Sequence, residues 1–193
     1  MNTLIKRIES YQPETLLEMS VTACVLVLLM YDDAQNMFII LTKRPVDVKT
    51  YAGDYCFPGG MRETSDVDFI ATVIREVQEE LGLDEHHYQF IGQLDDFSDR
   101  YGHLVRPMVA LIKKQDFEKH VQLSTTEVDQ VFYFPLSELG RIKQNEQIER
   151  ITLRRPSYIY NGGEVLIWGL TASIMVHLSN IIYQLDKPIG RGV

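Results

Sequence analysis

The sequence predicts an α+β fold, a layered sandwich of helices and mixed strands. Three observations point to it. Val21 to Tyr31 is an unbroken β-branched and apolar run of strand length. Residues 66–81 carry apolar side chains at helical spacing, with helix signals at both ends. Strand-like stretches dominate the middle of the chain, and helices interrupt them at intervals. The 193 residues fit one domain, expected to span 1–193 with an N-terminal extension over 1–20 and a C-terminal helix over 164–185. At 45% hydrophobic and 24% charged residues, disordered, collagen-like and coiled-coil readings fall away.

In chain order, residues 3–11 read as a short helix. Val21 to Tyr31 is a buried strand. Asp32 to Asn36 is a turn into a second strand, Met37 to Thr42, so the pair reads as a hairpin. Residues 45–60, with two prolines and three glycines, read as a long loop. Asp66 to Leu81 is a helix, with Ser65 and Asp66 as N-cap and Gly82 where a left-handed C-cap residue belongs. Its core face is Ile70, Val73, Ile74, Val77 and Leu81. Residues 88–94 and 104–112 are strand-like, joined by the acidic stretch Asp95 to Gly102. Gln130 to Phe134 is a short strand, and Pro135 opens a helical turn through Leu139. Residues 150–160 are β-prone, and Val165 to Leu185 is the last helix.

The net charge of −8 argues against a general nucleic-acid binder, which carries a basic face. It leaves room for a small anionic ligand, because a bound metal reverses the local field. Two cysteines, Cys24 and Cys56, are too few for a disulfide framework or a zinc site and read as buried thiols. Val165 to Tyr183 is long enough to span a membrane but carries Thr171, Ser173, His177, Ser179 and Asn180, so a buried helix fits it better. The opening residues lack the long apolar run of a signal peptide, and a reducing cytoplasm is expected. Trp168 reads as a packing residue, and His177 as a core or helix-surface residue rather than a catalytic one.

Glu76, Glu79 and Glu80 stand at i, i+3 and i+4 on one helix face. Three carboxylates crowded there repel one another, and a hard divalent cation such as Mg²⁺ or Mn²⁺ offsets that repulsion through oxygen ligands. The helix alone also admits a solvated acidic face in which Arg75 pairs with Glu79.

The flanking residues decide. Gly60-x5-Asp66-x8-Arg75-Glu76-Val77-x-Glu79-Glu80-x-Gly82-Leu83 resembles the Nudix box, with every fixed position of its second half present. Its first half has Asp66 where Glu is usual and one extra residue after it. That lengthened box, with Asp at this position, resembles the coenzyme A diphosphatase subgroup. So does the upstream Ile40-Leu41-Thr42-x-Arg44-Pro45-x3-Lys49-x3-Gly53-x3-Phe57-Pro58-Gly59-Gly60, in which Lys49 replaces Arg and Pro45 replaces Ser or Ala. Lysine keeps the charge but loses a two-pronged grip.

The resemblance, over about residues 21–185, implies an α/β/α sandwich around a mixed sheet. It also implies a Mg²⁺- or Mn²⁺-dependent diphosphatase acting on coenzyme A or an acyl-CoA. The alternatives are an enzyme for ADP-ribose or another nucleoside diphosphate derivative, and a non-catalytic binding module. Glu76 and Glu80 are the implied first metal ligands. Glu79 serves a second ion or orients the water, and the Gly59 carbonyl completes the shell. Glu127 is the expected acid from outside the box, with Asp95, Asp96 and Asp99 as rivals. Arg75 orients the glutamates, and Arg44 and Lys49 are candidate substrate-phosphate contacts. The expected partner is a small diphosphate, with no nucleic acid or membrane, and the protein a monomer or homodimer.

Overall fold

The computed structural model of the chain describes residues 1–16, 21–47, 51–99, 102–144 and 158–189. Its centre is β1 (Ala23–Tyr31). This strand pairs antiparallel with β2 (Met37–Lys43) and in parallel with β7 (Leu104–Lys113), in register from Ala23↔Val105 to Tyr31↔Lys113. A strand with neighbours on both edges and cover on both faces has no side to leave polar, so its apolar run is continuous. The hairpin between β1 and β2 is present as expected.

Short strands extend this sheet. β3 (Tyr55–Cys56) and β8 (Gln130–Pro135) pair with β2, and β4 (Gly59–Met61) pairs with the first residues of β1. β5 (Gln89–Gln93) and β6 (Phe97–Ser98) pair with β7. The residues expected as one long loop over 45–60 therefore hold one strand, β3, and begin another, β4. Neither is long enough to show a period, and only pairing with distant partners makes them extended. A second, smaller sheet joins β9 (Lys143–Gln144), β10 (Tyr158–Asn161) and β11 (Leu166–Trp168). Of the β-prone stretch over 150–160, residues 150–157 lie outside the described residues.

Helices cover both faces of the larger sheet. α2 (Phe69–Leu81) and α3 (Lys114–His120) lie on one. There Phe69, Val73, Val77, Leu81 and Phe117 pack with Leu26, Leu28 and Met30 of β1. α1 (Asn2–Glu9) and α4 (Gly169–Tyr183) lie on the other, where Ile8, Ile174, Met175 and Leu178 pack with Val27 and Leu29. Even and odd residues of β1 thus feed two different cores. This is the α/β/α sandwich of an α+β protein. A fully buried side chain such as Val77 contributes roughly 1.5–3 kcal/mol of apolar burial, so α2 is anchored mainly by this face.

Two boundaries differ from expectation. α2 begins at Phe69, because the Asp68 carboxylate caps it by accepting from the Ala71 N–H at 2.7 Å. Asp66 is instead drawn to Arg75. The inward face also differs: Phe69 and Thr72 are buried, whereas Ile70, expected in the core, lies 40% exposed. At the other end of the chain, Leu166–Trp168 is strand β11, and α4 starts only at Gly169, whose φ of +61° makes the bend. Gly82 does close α2 in the left-handed conformation, at φ +65°. A side chain there would also meet the Gln122 backbone oxygen at 2.9 Å.

Candidate active site

Two glycines set the acid face of α2 against the sheet. Gly59 pairs with Val25 and Gly60 with Cys24, at the start of β1. A Cβ on Gly59 would stand 2.4 Å from the Cys24 carbonyl oxygen, and the residue holds φ +138°, so only glycine permits this approach. A Cβ on Gly60 would fall 2.4–2.5 Å from the Glu76 carboxylate. The Glu76 carboxylate therefore lies directly on the Gly60 backbone.

Arg75 ties this arrangement together. Its guanidinium donates to Asp66 Oδ1 and Oδ2 at 3.2 and 3.1 Å and to the Met61 carbonyl at 2.9 Å. It also donates to Glu76 Oε1 at 2.9 Å and Glu79 Oε2 at 3.0 Å. One cation thus fastens the preceding loop to the helix and orients two of the three glutamates. Its hydrogen bonds are the largest cause holding the Asp66 carboxyl down at about 2.

Glu80 is different. It is 5% exposed, and its Oε2 is buried without a hydrogen-bond partner. Burial, then the neighbouring Glu76 charge, push its carboxyl up to about 8; the Arg44 charge and the Gly59 backbone N–H pull the other way. Glu76 is raised as well, mainly by burial, with Arg75 opposing. Glu79 sits at the rim, half exposed and turned to Arg75.

Of the four acids weighed from outside the helix, Glu127 is the one whose charge bears on both Glu76 and Glu80. Its turn is docked to the end of α2, where the Ser124 N–H donates to the Glu80 carbonyl at 3.0 Å. Asp95 and Asp96 are structural. Asp95 accepts from the Tyr11 hydroxyl and the Glu14 N–H, each at 2.8 Å. Asp96 takes a two-pronged grip from Arg106, at 2.9 and 2.8 Å, and also accepts from the Leu16 N–H at 2.7 Å. Asp99 is held by His103 Nδ1 at 2.8 Å.

These residues fit a cation. A buried, unpartnered carboxylate oxygen beside a second acid lacks positive charge, and Mg²⁺ or Mn²⁺ supplies it with the preferred oxygen chemistry. Among the described residues no three acidic, histidine or cysteine side chains already converge as ligands, and Arg75 holds Glu79 at the rim.

Beside Gly59 opens a cavity of about 220 Å³, reached by Arg44, Tyr51, Asp54, Phe57, Asp99 and Trp168 among others. Arg44 leaves its Nε buried without a hydrogen-bond partner. Lys49 lies outside the described residues. Cys24 is buried, whereas Cys56, expected to be buried too, is half-buried because it lines this cavity. Trp168, expected to serve packing, also forms a cavity wall and donates its indole N–H to Asp54 Oδ1 at 3.2 Å. His177 is in the interior, as expected. Tyr51 and Asp54 did not stand out in the sequence as wall residues, and their proximity to Phe57-Pro58-Gly59-Gly60 is the signal that could have found them.

Fold, glutamate face and glycine pair define a class. A family model described as the NUDIX domain matches residues 21–155, and the chain belongs to that family: it is a Nudix hydrolase. It is 32% identical over 143 residues to the "Uncharacterized Nudix hydrolase NudL" of Photorhabdus laumondii, covering 73% of this chain and 75% of that one. The "Peroxisomal coenzyme A diphosphatase ndx-8" of Caenorhabditis elegans is 36% identical over 118 residues, 60% of this chain and 49% of its own. The "Peroxisomal coenzyme A diphosphatase NUDT7" of Mus musculus is 30% identical over 158 residues, 77% and 65% respectively. The chain thus spans half to two thirds of these two diphosphatases. A solved Ap4A hydrolase of C. elegans superposes with a TM-score of 0.50 at 19% identity, over 60% of this chain and 80% of that one, and shows the shared fold. Among the described residues no helix is long and apolar enough to cross a membrane.

Proposed function

We propose that the protein is a Mg²⁺- or Mn²⁺-dependent diphosphatase that splits coenzyme A or an acyl-CoA into 3′,5′-ADP and the 4′-phosphopantetheine part. The observation that carries the metal site is the buried, unpartnered Glu80 oxygen beside Glu76 on the Gly59–Gly60 backbone. The substrate reading draws on the Phe57-Pro58-Gly59-Gly60 signature and on relatives named coenzyme A diphosphatases. Glu76 and Glu80 hold the ion, with the Gly59 carbonyl as a further ligand. Bound there, a divalent cation neutralises charge on the phosphoryl oxygens and acidifies a water. Glu79 serves a second ion or orients the nucleophilic water, and Glu127 accepts its proton. Arg75 keeps Glu76 and Glu79 in place. Arg44 contacts substrate phosphate from the cavity side, and Lys49 is its proposed companion. One domain carries these parts, in the cytoplasm, as a monomer or homodimer acting without nucleic acid.

Purified protein offered coenzyme A, acyl-CoAs, ADP-ribose and dinucleoside polyphosphates with each metal tests this, with products identified by mass. Preferred turnover of coenzyme A compounds to 3′,5′-ADP is expected. Preferred turnover of ADP-ribose would replace the substrate reading, and no turnover with either metal would remove the enzymatic one.

A further inference from the structure

The cavity beside Gly59 has a chemical bias that the glutamate face does not share. Where it adjoins the glycine pair, its walls are Ala23, Val25, Phe57 and Val105, which offer no side-chain hydrogen-bond donor. Its far walls are two aromatic rings, each tethered at its polar end to an acid. The Trp168 indole N–H donates to Asp54 at 3.2 Å, and the Tyr51 hydroxyl donates to Asp99 at 3.2 Å. Tyr51 holds φ +57°, a conformation that a bulky residue adopts only when its surroundings impose it. The charged wall residues described are Asp54, the Arg44 guanidinium and Asp99, which His103 Nδ1 holds at 2.8 Å. At about 220 Å³ the cavity is also below the roughly 300–1,000 Å³ of sites that enclose a whole small molecule. It takes one part of a substrate.

Resting on the coenzyme A reading above, we infer that this cavity receives the uncharged pantetheine arm of the substrate and that the phosphorylated nucleoside stays outside it. From a diphosphate placed at Gly59, the two halves of coenzyme A leave in opposite directions. One begins with a branched aliphatic unit and continues through two amides. The other begins with a ribose bearing a 3′-phosphate, a dianion near neutral pH. The donor-free walls next to Gly59 suit the aliphatic unit. With Arg44 engaged by the diphosphate, a second phosphate placed there would meet the donor-free walls and the Asp54 carboxylate. The aromatic walls stack on amide planes and hydrocarbon without demanding charge.

Trp168 is the chain's single tryptophan, so its fluorescence reports on this cavity. The full-length protein is titrated with 4′-phosphopantetheine and separately with 3′,5′-ADP, exciting at the red edge of tryptophan absorption so that adenine does not interfere. The expected result is a saturable change in Trp168 emission with 4′-phosphopantetheine and none with 3′,5′-ADP. An equal or larger response to 3′,5′-ADP in the unaltered protein overturns the inference, and so does silence with both ligands. Failure of the substrate reading is separable. If coenzyme A is not hydrolysed but Trp168 answers only to the arm, the reading falls and the cavity assignment stands.

Discussion

Asp96 and Glu80 are both buried carboxylates, and the contrast between them separates scaffold from site. Asp96, 3% exposed, arrives with its counter-charge built in: Arg106 grips both oxygens, and the Leu16 N–H adds a third bond. The Arg106 guanidinium in turn lies 4.5 Å from the centre of the Phe69 ring at the start of α2. Glu80, 5% exposed, has a buried oxygen with no partner and a second acid beside it. A buried acid with its own cation holds elements together. A buried acid lacking one is where the proposed cation would supply the missing charge.

Three measurements sharpen or break that contrast. The largest effect is expected at the scaffold. Asp96→Asn leaves Arg106 buried with a weakened partner, and breaking such a pair costs roughly 3–5 kcal/mol. Chemical denaturation should show that loss, with activity falling only in step with the folded fraction. A stability within about 0.5 kcal/mol of the parent, the range of ordinary surface changes, would contradict the scaffold role.

Glu80→Gln should do the reverse. It keeps the size and removes the charge, so turnover is expected to fall by at least about 10²-fold, as when one strong electrostatic element is removed. The metal-free protein should stay folded and no less stable. Unchanged turnover in the folded variant would remove Glu80 from the metal site.

The smallest effect is one of pH. The Glu80 carboxyl is raised from an ordinary 4.5 to about 8, so the metal-free folded protein binds this proton more tightly than the unfolded chain does. The associated stability is full below about pH 4.5 and is lost progressively as pH climbs to about 8, at no more than about 1.4 kcal/mol per pH unit. Urea melts in chelator at pH 6 and about pH 8.5 should differ in that direction. Glu80→Gln should flatten the difference, and added Mg²⁺ should restore stability at the higher pH. An identical pH profile for parent and variant would show that Glu80 is not the group responsible.

Much of this was legible in the sequence because it rests on local pattern. The continuous apolar run of β1, the helical spacing of Val73, Val77 and Leu81, and the left-handed Gly82 each follow from residues close together in the chain. The glutamate face was legible for the same reason. What escaped depends on contacts across the chain. Arg75 competes for Asp66 and moves the helix start to Phe69, which no count of apolar positions reveals. β3 and β4 are strands only because β2 and β1 pair with them. Leu166 to Trp168 is as apolar as the helix that follows, and only its partner β10 and the turn at Gly169 make it a strand. The cavity walls Asp54 and Trp168 lie 114 residues apart in the sequence.

The parallel ladder between β1 and β7 bears on the order in which the site comes into being. Ala23 cannot meet Val105 until the whole intervening chain, α2 included, has been made. Joining ends that far apart costs more entropy than closing the tight hairpin between β1 and β2, and such distant pairings slow folding. During synthesis the acidic helix therefore leaves the ribosome before the strand that completes the sheet beneath it. The ladder that joins β7 to β1 is thus among the later contacts the chain makes.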